Sequence, residues 1–288
     1  MFMNAKKPGL IKDAYIYGCD SIMLDLEDAV AENQKDAARF SLYHALKTID
    51  YGDTEVIVRI NGLDTPHWQE DVRVCVAGGA DGIRIAKCES AQDVLTVERA
   101  VEAAEEEFGV EKGSTLLMAA LESHKGILNA YEICAASDRM FGVAISGGDF
   151  RKCMQTVPQP DGVDMLAARG QMLLAARAAG IQCFDTVFTN LDDEEGFRAE
   201  VLQNKAMGFY GKSLINPKQI RFVHQVFAPT EKEVRQAEKI IRAYREQSAA
   251  SVGVFTVDGK MIDIALIHGA ERTLKLARAC GMYEGDLV

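Results

Sequence analysis

Nothing in the 288 residues approaches the uninterrupted apolar length that a bilayer-spanning helix needs, so the sequence predicts no membrane segment. No C-x-x-C pair occurs and no histidine stands near a cysteine at zinc-ligand spacing. The seven cysteines, at positions 19, 75, 88, 134, 153, 183 and 280, therefore read as reduced, mostly buried thiols. Basic residues are in deficit, 32 Lys plus Arg against 43 Asp plus Glu, for a net charge of -11, which argues against non-specific binding to nucleic acid or an anionic membrane surface. An anionic substrate stays compatible with that charge, provided placed Arg or Lys side chains or backbone N–H groups receive it. No G-x-G-x-x-G opens a helix, and the G-K-S at Gly211 to Ser213 has no upstream glycine at P-loop spacing, so nucleotide binding finds little support. The five histidines are scattered and join no nucleophile motif. The opening MFMNAKKPG has no apolar core of a secretory leader, and with an odd cysteine count this predicts a cytoplasmic protein.

What is present is a repeating α/β pattern. A composition of 48% apolar and 26% charged residues belongs to a soluble globular chain with ample core. Short apolar runs recur at Ser21 to Leu26, Glu55 to Ile60, Gly82 to Ala86, Thr115 to Leu121, Met140 to Ile145, Gln182 to Val187 and Gly211 to Ile215. Helical periodicity fills Lys35 to Ile49, Ala91 to Glu107, His124 to Ser137, Met165 to Ala179 and Glu194 to Met207 between them. Such alternation implies parallel strands joined by crossover helices. Seven strands are visible, and an eighth that would complete a barrel is expected at Met1 to Met3, so that the chain starts at the edge of its first strand. No linker interrupts the pattern before Pro229, which predicts a catalytic domain over 1–229. A C-terminal helical extension over 230–288 would serve as a lid or subunit-contact arm: a helix from Thr230 to Ser248 opening with T-E-K-E, a glycine-containing segment from Gly253 to Asp263, and a last helix near Ala265 to Cys280.

In a parallel barrel the chemistry lies at the carboxyl ends of the strands. Glu122 and Asp149 follow adjacent predicted strands, and two converging carboxylates beside an open cavity suit Mg²⁺, which takes few protein ligands and leaves positions for substrate oxygens. Gly147 and Gly148, just before Asp149, could bring backbone N–H groups to a ligand carboxylate. The alternative is that Glu122 caps the following helix and the glycines form an ordinary turn. Arg59, between Val58 and Ile60, has a planar fork suited to a substrate carboxylate, or to a structural partner among Asp25, Glu27 and Asp28. Lys87 has the same two possibilities, and His124 either lines the site or sits in the first turn of a helix.

The stretches SIMLDLEDAV, EVIVRINGLDTP, LESHKGILNAYEIC, GKSLINPKQI and VFAPTEKEV together resemble the citrate lyase beta subunit group of the HpcH/HpaI aldolase superfamily over nearly the whole chain. The resemblance implies a (β/α)8 TIM barrel, a homotrimer, that cleaves a citryl thioester to oxaloacetate and an acetyl thioester. The carrier would be an acyl carrier protein or coenzyme A, and the partners citrate lyase alpha and gamma subunits. It assigns Glu122 and Asp149 as magnesium ligands and Arg59 as a carboxylate-binding arginine. Asp263 in GKMIDI becomes the candidate acid/base, although a helix N-cap would use the same side chain. Gly148 departs from the family pattern Gly-x-Glu-Asp, and the 151–166 loop and the amino end also differ. These departures keep open a related enzyme acting on citramalyl or malyl thioesters or in pyruvate aldol chemistry, and a non-catalytic acyl-thioester-binding subunit.

Overall fold

The computed structural model describes residues 1–248 and 255–287, which fall into two compact units, Met1–Val223 and His224–Val288. In the first, strands β1 (Phe2–Asn4), β2 (Ser21–Asp25), β3 (Glu55–Ile60), β4 (Gly82–Ile85), β5 (Leu116–Leu121), β6 (Met140–Ile145), β7 (Gln182–Asp185) and β8 (Gly211–Lys212) form one parallel sheet in sequential order. The Phe2 N–H donates to the Leu214 carbonyl at 2.8 Å, tying the first strand to the segment after the last and closing a (β/α)8 barrel. The short opening strand supplies the eighth member, as the sequence predicts.

Helices run between and beyond the strands: α1 (Pro8–Ile11), α2 (Lys35–Thr48), α3 (Trp68–Gly78), α4 (Ala91–Phe108), α5 (His124–Leu128), α6 (Ala130–Cys134), α7 (Gly147–Cys153), α8 (Val163–Ala179), α9 (Glu194–Met207), α10 (Ile220–Phe227), α11 (Glu231–Ser248) and α12 (Ile264–Ala279). Where one helix is expected over His124 to Ser137, the chain makes two, α5 and α6, which meet at Asn129. Helix α3 follows the T-P-H-W turn and was not among the segments read from periodicity.

The period-2 alternation of strands decides which side chains meet. One set, including Leu24, Val58, Ile83, Ile85, Leu117, Ala119, Val143 and Ile145, is fully buried. The other set begins with a cluster of Met23, Ile57, Met118 and Ala144, joined by Phe2, Phe141 and Phe184. Two residues further along the strands, register places Asp25 beside Arg59, Arg59 beside Arg84, and Arg84 beside Met118. Continuing the same alternation past Ala120 and Ala144, which are themselves paired, Glu122 and Ser146 arrive together at the carboxyl ends of β5 and β6.

The second unit has its own core, built from residues such as Val234, Ile241, Phe255, Ile267, Leu274 and Tyr283. Strands β9 (Phe255–Val257) and β10 (Lys260–Ile262) form an antiparallel hairpin turned at Asp258-Gly259, both with positive φ, 49° and 76°. That is the primed turn which Asp-Gly favours, because glycine enters left-handed space without a Cβ clash. The start of the glycine-containing segment, Gly253 and Val254, lies outside the described residues. Among the described residues, no helix is long and apolar enough to cross a membrane.

Candidate active site

At the strand ends a cavity of about 630 Å³ is lined by Leu63, Asp64, Lys87, Glu122, Asp149 and Lys152, among others. Glu122 and Asp149 thus share one wall, as the strand-end reading requires. Glu122 is 4% exposed. Its Oε1 accepts a hydrogen bond from the Ser146 hydroxyl at 3.3 Å, and its Oε2 is buried with no hydrogen-bond partner among the described residues. Burial pushes its carboxyl above the usual range; Arg84 opposes that shift and Glu27 adds to it. Helix capping does not use Glu122. Ser123 is the N-cap of α5, accepting from the Gly126 N–H at 3.1 Å while donating to Glu89 at 2.6 Å. Asp149 stands in the first turn of α7, half-buried and facing the same cavity.

Two of the other carboxylates on the wall are already engaged, while Asp64 also faces the cavity. Glu89 pairs with Lys125, and Asp93 closes the capping box of α4 with Ser90. Glu122 and Asp149 stand as a carboxylate pair on this wall, and Glu122 Oε2 is buried with no hydrogen-bond partner among the described residues. Such an orphaned acceptor is what a hard divalent cation would fill, and two carboxylates with room for water and substrate oxygens suit Mg²⁺. No group of three or more His, Cys, Asp or Glu side chains capable of holding a metal occurs among the described residues, so a richer protein cage is not offered.

Arg59 spends its fork on the protein: Nε–H and one terminal N–H donate to the two oxygens of Asp25, each at 2.7 Å, and the other terminal nitrogen lies 3.0 Å from Glu27. Burial works against it, but the Asp25 bonds and charge hold the guanidinium firmly protonated. Of the two uses read for Arg59, the structure displays the ion pair with the neighbouring strand. Lys87 reaches the cavity, with Nζ 2.7 Å from Glu27 and its backbone in left-handed space at φ 50°. Lys125 and Lys152 line the cavity too, and sequence reasoning did not single them out.

Gly147 carries a tight packing role. A Cβ there would come within 2.9 Å of Thr186 Oγ1, which accepts the Gly147 N–H at 2.8 Å. At Gly148 a Cβ would meet nothing within 4 Å. His124 is exposed, and its Nδ1 lies 2.7 Å from the Cys153 sulfur. Cys19, Cys75, Cys88, Cys134 and Cys183 are buried and form no disulfide. Lys212 of the G-K-S stretch is buried on Asp185 at 3.0 Å, which removes it from phosphate binding.

Arg84 is the residue the sequence reading missed. It is 2% exposed, sits over the Phe2 ring at 5.2 Å with Arg59 over the same ring at 5.3 Å, and donates to Ser146 at 3.1 Å. Its Nε and one terminal nitrogen have no partner among the described residues, and burial, with Arg59 adding, pulls its pKa down to about 10. The signal was available: Ile83-Arg84-Ile85 repeats the Val58-Arg59-Ile60 pattern one strand away.

The chain matches the HpcH/HpaI aldolase/citrate lyase family over residues 1–217, and C-C bond lyases of the TIM-barrel fold over 165–282. The chain belongs to the HpcH/HpaI aldolase/citrate lyase family. It is accordingly a lyase. Within this family, citrate lyase subunit beta of Leuconostoc mesenteroides subsp. cremoris is 50% identical over 286 residues, 99% of this chain and 95% of the relative. Among solved structures, CitE of Mycobacterium tuberculosis in complex with magnesium, acetoacetate and coenzyme A superposes with a TM-score of 0.74 at 29% identity, covering 96% of each chain. The citrate lyase beta subunit of the same organism complexed with oxaloacetate and magnesium gives 0.67 at 29% identity, over 80% of this chain and 96% of that one.

Proposed function

We propose that the chain is a magnesium-dependent lyase that cleaves a citryl thioester to oxaloacetate and an acetyl thioester. The observation that carries this is the open carboxylate pair, Glu122 with an orphaned oxygen and Asp149, on a cavity that also bears Lys87, Lys125 and Lys152. Glu122 and Asp149 would hold Mg²⁺. The ion, when bound, supplies Lewis-acid stabilisation of the charge that moves onto oxygen as the carbon–carbon bond breaks. The protein's own groups orient the substrate. Lys87 receives a carboxylate, Gly148 lies open beside Asp149 in the first turn of α7, and Arg59 acts as a fixed positive charge behind Glu27 rather than as a free fork.

Cleavage needs a base for the substrate hydroxyl proton and an acid for the departing thioester enolate. Asp263 is our candidate for this proton transfer, acting from a neighbouring subunit of a homotrimer. Support for that role comes from the GKMIDI resemblance, and the side chain is exposed at the start of α12, where Oδ1 also accepts the Leu266 N–H at 3.0 Å. The carrier is coenzyme A or an acyl carrier protein, with citrate lyase alpha and gamma subunits as partners in the cytoplasm. The match to CitE with coenzyme A supports a thioester substrate.

The test is Glu122→Gln assayed for oxaloacetate release from citryl, citramalyl and malyl thioesters with Mg²⁺. Citryl turnover by the unaltered chain, and its loss by at least about 100-fold in the variant, is expected. Unchanged turnover in a folded variant, or turnover of malyl or citramalyl substrates alone, would refute the citryl assignment.

A further inference from the structure

Ser146 occupies the N-cap position of α7, the helix whose first turn carries Asp149, yet its side chain makes no capping bond. Serine is favoured at that position because its oxygen accepts a first-turn N–H. Here the buried N–H of Gly147 goes to Thr186, and the Ser146 hydroxyl is turned to Glu122 rather than to the first turn of its own helix. The backbone N–H of Ser146 donates to the Leu121 carbonyl at 3.0 Å, one residue before Glu122. One residue therefore ties the segment bearing Glu122 to the segment bearing Asp149 through both its main chain and its side chain.

The proton positions along this chain of bonds are forced. A guanidinium only donates, so Arg84 must give its N–H to the Ser146 oxygen at 3.1 Å. The hydroxyl has one proton left to give, and Glu122 Oε1 at 3.3 Å receives it. That contact occupies one carboxylate oxygen and leaves Oε2 without a partner among the described residues. Arg84 is buried with two of its nitrogens unpartnered among the described residues, so few bonds besides the one to Ser146 fix its guanidinium.

We propose that Ser146, locked by Arg84, is a positioning residue that fixes the Glu122 carboxylate with Oε1 held and Oε2 presented, and sets its spacing from Asp149 for a divalent cation. The proposal rests on the reading of Glu122 and Asp149 as the metal pair. Partners that orient metal ligands in this way typically change metal affinity by roughly 10- to 100-fold when removed. Ser146 carries no charge, so its removal leaves the formal charge of the site unchanged.

The experiment measures Mn²⁺ binding to the full chain by the loss of its free-ion electron-spin signal, alongside the thermal midpoint without metal. Ser146→Ala is expected to bind Mn²⁺ roughly 10-fold more weakly with an unchanged midpoint, Ser146→Thr to restore affinity through its hydroxyl, and Glu122→Gln to abolish binding. Arg84→Lys, which keeps the charge and loses the fork, should weaken binding in the Ser146 background and add nothing in Ser146→Ala. Wild-type affinity in Ser146→Ala while Glu122→Gln loses the ion overturns the proposal, and additive losses in the double variant overturn the part assigned to Arg84. If Glu122→Gln also binds normally, the metal-pair reading itself has failed.

Discussion

Arg59 shows how a single side chain can carry two readings that only geometry separates. Its guanidinium faces the barrel interior because alternation along a strand with one face against helices leaves the other face for the interior. What the V-R-I pattern could not reveal is register. Asp25 lies directly beside Arg59 in the β2–β3 ladder, so the fork closes on a neighbour before any substrate arrives. Arg59→Met would leave Asp25 buried without its cation and Glu27 with Lys87 alone, and we expect it to destabilise the chain by about 3 to 5 kcal/mol in urea titrations. A change below about 1 kcal/mol would contradict the pairing described here. Activity lost in that variant is uninformative unless stability is measured with it. That Glu122 and Asp149 would face one cavity was legible because both follow strand ends; the bond between Arg84 and Ser146 was not, because it joins residues 62 apart in the chain.

At the scale of elements, the strands were readable because their outward faces are continuous runs of Val, Ile, Leu and Ala, and the longer helices because their periodicity is clear. Short helices and the C-terminal hairpin escaped. The Asp258-Gly259 dipeptide is a hairpin signal, but its flanking strands have three residues each, too few to show alternation. Gly259→Ala forces a Cβ into φ 76°, and should lower the stability of the second unit by about 1 to 2 kcal/mol, seen as earlier hydrogen exchange at Phe255–Ile262; unaltered exchange would mean the turn has another form. A larger effect is expected where β7, α8, α9 and β8 join. Asp185, fully buried, takes two bonds from Arg169 and one from Lys212, and Glu200 meets both cations. Burial alone would raise the Asp185 carboxyl, but Lys212 and Arg169 hold it below the usual range. Its stabilisation is therefore complete above the ordinary carboxylate range and disappears as the pH falls through the lowered native pKa. Asp185→Asn should cost about 3 to 5 kcal/mol at neutral pH, and the gap from wild type should close in acid. A gap that stays constant with pH would show that charge is not what Asp185 contributes.

For the whole molecule, the division at Val223 and His224 falls inside α10, and each side has the means to stand as a unit. The eight strands, the closing bond from Phe2 to Leu214 and every residue lining the cavity precede that point, and the second unit buries its own cluster around Ile241 and Leu274. A chain stopped after Pro229 keeps α10 whole. We expect it to unfold cooperatively, since more than 200 residues around one core exceed what a stable domain needs, and to bind Mn²⁺ within about twofold of the full chain. Turnover is a separate matter. If Asp263 supplies the proton transfer, the shortened chain should lose citryl cleavage to the same degree as Asp263→Asn in the full chain, with metal binding intact in both. A shortened chain that turns over normally removes Asp263 from the chemistry, and one that never folds shows that the barrel depends on its partner unit. Adding Asp263→Asn full-length chain to the shortened chain should restore nothing, because neither carries the carboxylate; recovery of cleavage in that mixture would place the missing proton transfer on some other group of residues 230–288.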